Sequence, residues 1–385
     1  MLRHFPIFCS FAWLAMLTPV VADEPTAWPA AAELDGVPYQ SIEELRSFYK
    51  LTTGLQPSRK GALAMSLGDV RVELGPERRE MSIGGVRLEL SHPLLRDAAG
   101  NMLISRVDWV TWVDPILRPT YIEGRAAVNT VVIDAGHGGP DAGITTANLH
   151  EAHMTLHMAQ LLKAELEKAG FHVQLTRTGD YFLSDQQRVD IANATPNAIF
   201  LSLHLNSGRQ DFRGARVYTL APAAQGETPR PGNEKEGRHT ALAYALQSAL
   251  VRQAGATDGG CHRAHFSLLS SITRPAVWVE LGYTTHEQEA AALASPAYRE
   301  SLAHALAQGI ATYAKVANPA TKIPTQAPPP KVVTSAPATP PKKVTAPEQS
   351  KRNASASSSK KTGSSSKNSV DSFRQRARNT HRTRR

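Results

Sequence analysis

The order of apolar and polar positions divides this chain into stretches of different character. Residues 70–74 and 86–90 alternate apolar with polar side chains, the period-two pattern of strands with one wet face. Ser82-Ile-Gly-Gly85 between them suits a tight turn. Around them, residues 34–120 predict a small α+β domain. Within it a polar turn, a short strand and a helix recur twice, the helices opened by Ser41 and Ser105. Glu44 stands three residues after Ser41, as a capping box requires. From 128 to 316 the pattern changes. Strands are expected at 131–134, 171–176, 198–203, 215–220 and 276–280, several of them unbroken apolar runs. Helices are expected at 151–169, after the cap Ser184, at 240–253 and at 298–314. In the first helix Met154, Met158, Leu161, Leu162 and Leu166 share one face, and Gly170 follows its end. Strands alternating with helices predict an α/β fold: a mostly parallel twisted sheet flanked by helices. The stretch 221–237 reads as a Pro/Gly-rich loop.

The two ends read differently. A short positive start, an apolar run from Phe5 to Val21 and the small residues of Pro19-Val-Val-Ala22 predict a secretory signal peptide over 1–22. No transmembrane segment is expected once it is removed. From residue 318 the chain is rich in Pro, Ser, Lys and Arg, and is expected to be a disordered basic tail over 318–385. That tail holds fifteen Lys and Arg against two acids, a charge of +13. The net charge of the chain is +9, so the rest carries −4. The basic balance therefore belongs to the tail. Among polyanions, an exported tail would meet anionic envelope polymers or lipid head groups; no nucleic-acid partner is expected. A solvated tail without a partner is the plainer reading. Of two cysteines, Cys9 lies in the signal, which leaves Cys261 without an intramolecular partner.

Candidate chemistry gathers at strand ends, where α/β sheets present functional groups. His137 follows the strand 131–134 within Gly136-His-Gly-Gly139, and His204 ends the strand 198–203. Glu151 opens the next helix, and Glu280 ends the strand 276–280. Two imidazoles and a carboxylate make a good zinc set with a position left open for water. A free carboxylate such as Glu280 then serves as general acid and base. Each residue also has a plainer role: Glu151 as a helix-dipole residue, Glu280 as an ion-pair partner of Arg274 or a loop arginine. His150, His153 and His157 read as surface histidines, since His150-Glu-Ala-His153 lacks the spacing of an HExxH motif. Cys261-His262-Arg-Ala-His265 lacks a second cysteine pair for a metal site.

These stretches resemble the zinc-dependent N-acetylmuramoyl-L-alanine amidases of the amidase 3 type. The likeness runs through Asp134-Ala-Gly-His137-Gly-Gly, Glu151, Leu175-Thr-Arg177-Thr, Gln187-Arg188, Ser202-Leu-His204-Leu-Asn206, Arg213-Gly214 and Pro275-Ala-Val-Trp-Val-Glu280-Leu-Gly282. The resemblance implies one zinc ion on His137, Glu151 and His204, with Glu280 as catalytic acid and base. It also implies hydrolysis of the amide between N-acetylmuramic acid and L-alanine in peptidoglycan, at the periplasm or cell envelope. Two positions depart from the family pattern: Ala152 where lysine is usual, and Ser270 where arginine is usual. They leave a second reading, a catalytically weakened peptidoglycan-binding protein on the same fold. Some members carry a site-blocking helix before the helix at 240; here the short loop 221–237 predicts none. The region 34–120 resembles the small domain named after the N-terminus of copper amine oxidases. It either binds glycan or spaces the enzyme from its anchor.

Overall fold

The computed structural model describes residues 32–51, 56–57, 63–67, 70–75, 78–146, 149–223 and 228–321. The expected signal segment, and all but the first four residues of the expected tail, lie outside them. Ala32–Leu34, Val37–Ser41, Met102–Ser105 and Leu95–Arg96 form a small antiparallel sheet beside the helix Ile42–Phe48. Ser41 and Glu44 close the expected capping box on that helix. Four strands follow as a meander: β1 (Leu63–Leu67), β2 (Val70–Leu74), β3 (Glu80–Ile83) and β4 (Val86–Glu89). The β3–β4 turn falls on Gly84 and Gly85, both at positive φ.

The main elements from residue 130 onward mostly alternate between strand and helix. They are β5 (Thr130–Ala135), α1 (Glu151–Lys168), β6 (His172–Leu175), α2 (Asp185–Ala194), β7 (Ala198–Asn206), β8 (Ala215–Leu220), α3 (Glu236–Gln253), β9 (Asp258–Ala264), β10 (Ala276–Tyr283) and α4 (Pro296–Ala317). Their strands pair in the order β6-β5-β7-β10-β8-β9. Every pair is parallel except β8 with β10, so the sheet is mostly parallel, as expected. Four features depart from the sequence reading. Strand β7 runs on past His204 to Asn206, and β10 past Glu280 to Tyr283. Helix α3 begins four residues before Thr240. Strand β9 has no expected counterpart, because Asp258-Gly-Gly-Cys-His-Arg carries little of the β-branched and aromatic signal that marks a strand. In the loop before α3 the described residues form one 3-10 turn, Pro231–Lys235; residues 224–227, which bear on the expected lack of a blocking helix, lie outside the description.

The sheet does not stop at β9. Cys261 lies beside Leu88, which joins β9 to β4 in parallel, and the order continues through β3, β2, β1 and Gln56–Pro57. Both regions therefore share one sheet, eleven strands wide among the described residues. They share a core as well. Strand alternation sends Val131, Ile133, Leu201, Val279 and Leu88 to one face, beneath α1, α3 and α4. It sends Val132, Phe200 and Ala276 to the other, beneath α2 and the short helix Ser267–Ser271. Tyr244 of α3 donates to the Ile83 carbonyl at 3.1 Å, and Arg87 N donates to Asp258 Oδ2 at 2.8 Å, across the join. No helix among the described residues is long and apolar enough to cross a membrane.

Candidate active site

Three of the four sequence candidates converge. His137 in the turn after β5, Glu151 at the first position of α1 and His204 near the end of β7 each present a ligand atom, all within 4.8 Å of one another. The Glu151 carboxylate sits between the rings, Oε2 at 3.2 Å from His137 Nε2 and Oε1 at 3.1 Å from His204 Nδ1. Its two oxygens also accept from Ile144 N at 2.8 Å and Leu205 N at 2.9 Å, which fixes the plane of the carboxylate. Burial works to raise the Glu151 pKa, but the two histidines outweigh it and hold the carboxyl well below its usual range. Burial alone dominates at His204 and pushes its pKa down. At His137 the pull of burial is overcome by Glu151 and Asp141, and the pKa rises.

Two glycines make this convergence possible. A Cβ on Gly136 would lie 2.2 Å from His204 Cε1; one on Gly143 would lie 2.6 Å from His137 Cδ2 and 2.7 Å from Glu151 Oε2. His137 itself adopts a left-handed backbone, φ 63°, which a non-glycine residue keeps only where its surroundings enforce it. Here they do. Arg188 donates to the carbonyls of Ala135 and His137, each at 3.0 Å, and also pairs with Asp134. Arg177 donates to the carbonyls of Ala135 at 2.8 Å, Gly136 at 2.9 Å and Ala152 at 2.6 Å. Asp134 is in turn held by Thr176 and Ser202, at 2.7 Å each. Motif residues Asp134, Arg177, Arg188 and Ser202 thus build the turn rather than line it.

A second layer orients the rings. Asp141 Oδ2 lies 2.9 Å from His137 Nδ1, which leaves Nε2 facing Glu151. His204 lies flat on Trp278, and Trp278 stacks in turn on Phe266. Glu280 stands outside the three-residue cluster. Strand register puts it beside His204, on the neighbouring strand. Asn206 Nδ2 and Tyr218 Oη both donate to its Oε2, the latter at 3.2 Å. Burial raises the Glu280 pKa to about 7, against the opposing charge of Arg216 and these two hydrogen bonds. The donor set fits a metal: two imidazoles and a carboxylate, clustered and largely buried. The set is also well suited to zinc in a site that keeps one position open.

His150, His153 and His157 are exposed and outside the cluster, His153 reaching Asp180 at 3.3 Å. Arg274 donates to the Asn193 carbonyl at 2.9 Å, and the arginine that acts on Glu280 is Arg216. Cys261 is buried in the sheet, and His262 pairs with Glu89. Asp141, Trp278, Asn206, Tyr218 and Arg216 were not expected to take part. Their sequence signals were those of a loop acid, a core aromatic and ordinary strand residues. Ala152 is buried with its carbonyl on Arg177, and Ser270 Oγ donates to the Ser267 carbonyl at 2.7 Å.

Residues 131–312 match the family model described as N-acetylmuramoyl-L-alanine amidase. A Bacillus subtilis protein, the uncharacterized YqiI, is 32% identical over 192 residues, covering 50% of this chain and 86% of that one. The germination-specific N-acetylmuramoyl-L-alanine amidase of Bacillus subtilis is 28% identical over 199 residues, 48% of this chain and 78% of its own. The N-acetylmuramoyl-L-alanine amidase AmiA of Salmonella typhimurium is 30% identical over 217 residues, 48% of this chain and 75% of its own.

Proposed function

The chain belongs to the N-acetylmuramoyl-L-alanine amidase family and is a peptidoglycan amidase; we propose that it works as a zinc hydrolase, with His137, Glu151 and His204 holding the metal and Glu280 moving the proton. The observation that best supports this reading is a largely buried His–Glu–His cluster with a non-ligand glutamate in register on the next strand. A zinc ion held there would supply Lewis acidity, polarising the scissile carbonyl and acidifying water.

The chain's own residues do the rest. Glu280, poised by burial near neutrality, takes the proton of the attacking water and hands it to the departing L-alanine nitrogen. Asn206 and Tyr218 hold its carboxylate in one orientation, so the proton is exchanged at a fixed position. Arg177 and Arg188 keep the His137 turn rigid, which saves the metal set from reorganising during turnover. Ala152 meets Arg177 through its backbone carbonyl, which any residue there would supply, and Ser270 bonds to the Ser267 carbonyl, so the departures from the family pattern leave the machinery whole. We place residues 34–120 as an accessory region, 128–316 as the catalytic region, and the protein in the periplasm or envelope by virtue of the signal pattern at 1–22.

Mass spectrometry of purified peptidoglycan digested by the wild-type protein and by His204→Ala tests the reading. Stem peptides released with a free L-alanine amine, by the wild type alone, are the expected result. Glycan cleavage, or equal products from both proteins, would overturn it.

A further inference from the structure

We propose that a cavity between the N-terminal region and the far end of β8 and β9 is a second binding site, for a short peptide bearing a free amine and carboxylates. This inference rests on the amidase reading for the source of such a peptide, since hydrolysis at N-acetylmuramic acid releases a stem peptide with a new L-alanine amine. The uncleaved substrate lacks that amine.

The cavity has a volume of about 690 Å³, within the range of small-molecule pockets. Its apolar walls include Val37, Leu90 and Pro222, and its charged side chains include Arg79, Arg263 and Glu89. It is separate from the metal cluster. The β8–β10 register sets Arg216 beside Glu280 and Tyr218 beside Trp278, so the residues after Leu220 lie beyond the Ala276 end of β10. At about 3.3 Å per residue, Pro222 is on the order of 15–20 Å along the strand from the Arg216 level.

Arg263 is the feature that calls for a ligand. Its guanidinium lies over the Trp112 ring at 4.3 Å. Its Nε and Nη2 are shut away from solvent and meet no acceptor among the described residues, an arrangement that folded proteins rarely leave unanswered. Burial pulls its pKa down to about 10, against the charges of Glu236 and Asp108. Neither acid forms an ion pair with it among the described residues. The Asp108 oxygens already accept from Ser91 N at 2.7 Å, His92 N at 3.0 Å and Ser105 Oγ at 2.5 Å. The cavity lining therefore carries the positive charge of Arg263, and Arg79 contributes to the same lining. Arg79 spends its Nε on the Leu90 carbonyl, at 2.8 Å. Glu89, from the last position of β4, brings the opposite sign; its Oε2 pairs with His262, and the carboxylate stays half exposed. An anion alone would meet that carboxylate; a peptide with both charges answers both. The dipeptide L-Ala-D-Glu has one amine for Glu89 and two carboxylates for the arginines.

Calorimetric titration of the full chain carrying Glu280→Gln tests this, with L-Ala-D-Glu, its N-acetylated form and inorganic phosphate as probes. The expected result is saturable binding of the free dipeptide, weakened at least tenfold by N-acetylation, by Arg263→Met and, independently, by Arg79→Ala. Glu89→Gln should remove the preference for the free amine. Absence of binding, equal binding of the acetylated peptide or of phosphate, or affinity unchanged in both arginine variants would each overturn the proposal. Wild-type digestion of peptidoglycan is scored separately. Cleavage without dipeptide binding removes only this site, and binding without cleavage keeps the site while removing the amidase reading.

Discussion

His204 lies flat against Trp278, ring centroids 3.5 Å apart and planes 6° from parallel. The contact gives the histidine a wall that fixes its plane, while Glu151 fixes its direction within that plane. Groups that orient metal-ligating histidines typically contribute ten- to a hundred-fold to metal affinity. Trp278→Leu should weaken zinc binding by about that factor, and Trp278→Phe, which keeps a flat ring, should weaken it less. Competition with a chromophoric chelator measures both.

Asp141 should matter in the same way for the other ring. Losing its contact with His137 Nδ1 frees that imidazole to rotate. Asp141→Ala is expected to lower zinc affinity about ten- to a hundred-fold while leaving thermal stability of the metal-free protein nearly unchanged, since Asp141 is half exposed. An equal loss of melting temperature in the metal-free form would mean that Asp141 acts on the fold instead.

Glu280→Gln should cut peptidoglycan cleavage by about 10²–10⁴-fold, the usual worth of a general acid or base, with one zinc still bound per chain. The same variant carries a pH signature in the metal-free protein. The folded-state pKa of Glu280 is raised to about 7, while the unfolded value is near 4.3. Between these values the folded chain holds a proton that the unfolded chain has released, so wild-type stability falls as pH rises through that window. Glu280→Gln lacks the titration. The melting temperature of the variant minus that of the wild type should therefore grow from about pH 4.5 to about pH 7 and then level off. A difference flat across that range would contradict the raised pKa.

Gly136→Ala tests the close approach at the cluster. The added Cβ would fall 2.2 Å from the His204 ring, far inside any van der Waals contact, so the ring must leave its place. Loss of stoichiometric zinc and of cleavage is expected, with far-ultraviolet circular dichroism preserved.

Asp134→Ala would leave Arg188 buried without its carboxylate. Breaking one side of a buried ion pair costs about 3–5 kcal/mol, which chemical denaturation would register directly. Zinc affinity should fall too, since Arg188 also supports the His137 carbonyl.

The cluster was legible because its three members announce themselves locally. His137 and His204 interrupt apolar strands in glycine- or polar-flanked turns, and Glu151 heads an amphipathic helix. Glu280 was legible as an acid at a strand end. Their supports were not. Trp278 sits in an apolar run and reads as core, and its use as a platform for His204 depends on β7 and β10 being neighbours. Tyr218 and Arg216 reach Glu280 only because β8 lies antiparallel beside β10, a pairing that no periodicity encodes. The join between β4 and β9 was hidden for a related reason. Their pairing spans more than 170 residues, and β9, rich in glycine and polar residues, hardly reads as a strand.

That join has a further consequence. A sheet edge with bare N–H and C=O groups recruits strands from other molecules. A fragment beginning at residue 128 would present β9 as such an edge, with Cys261 and its apolar neighbours newly wetted. The N-terminal meander acts as an edge guard for the hydrolase half, and trimming it away invites self-association whether or not it ever touches the cell wall.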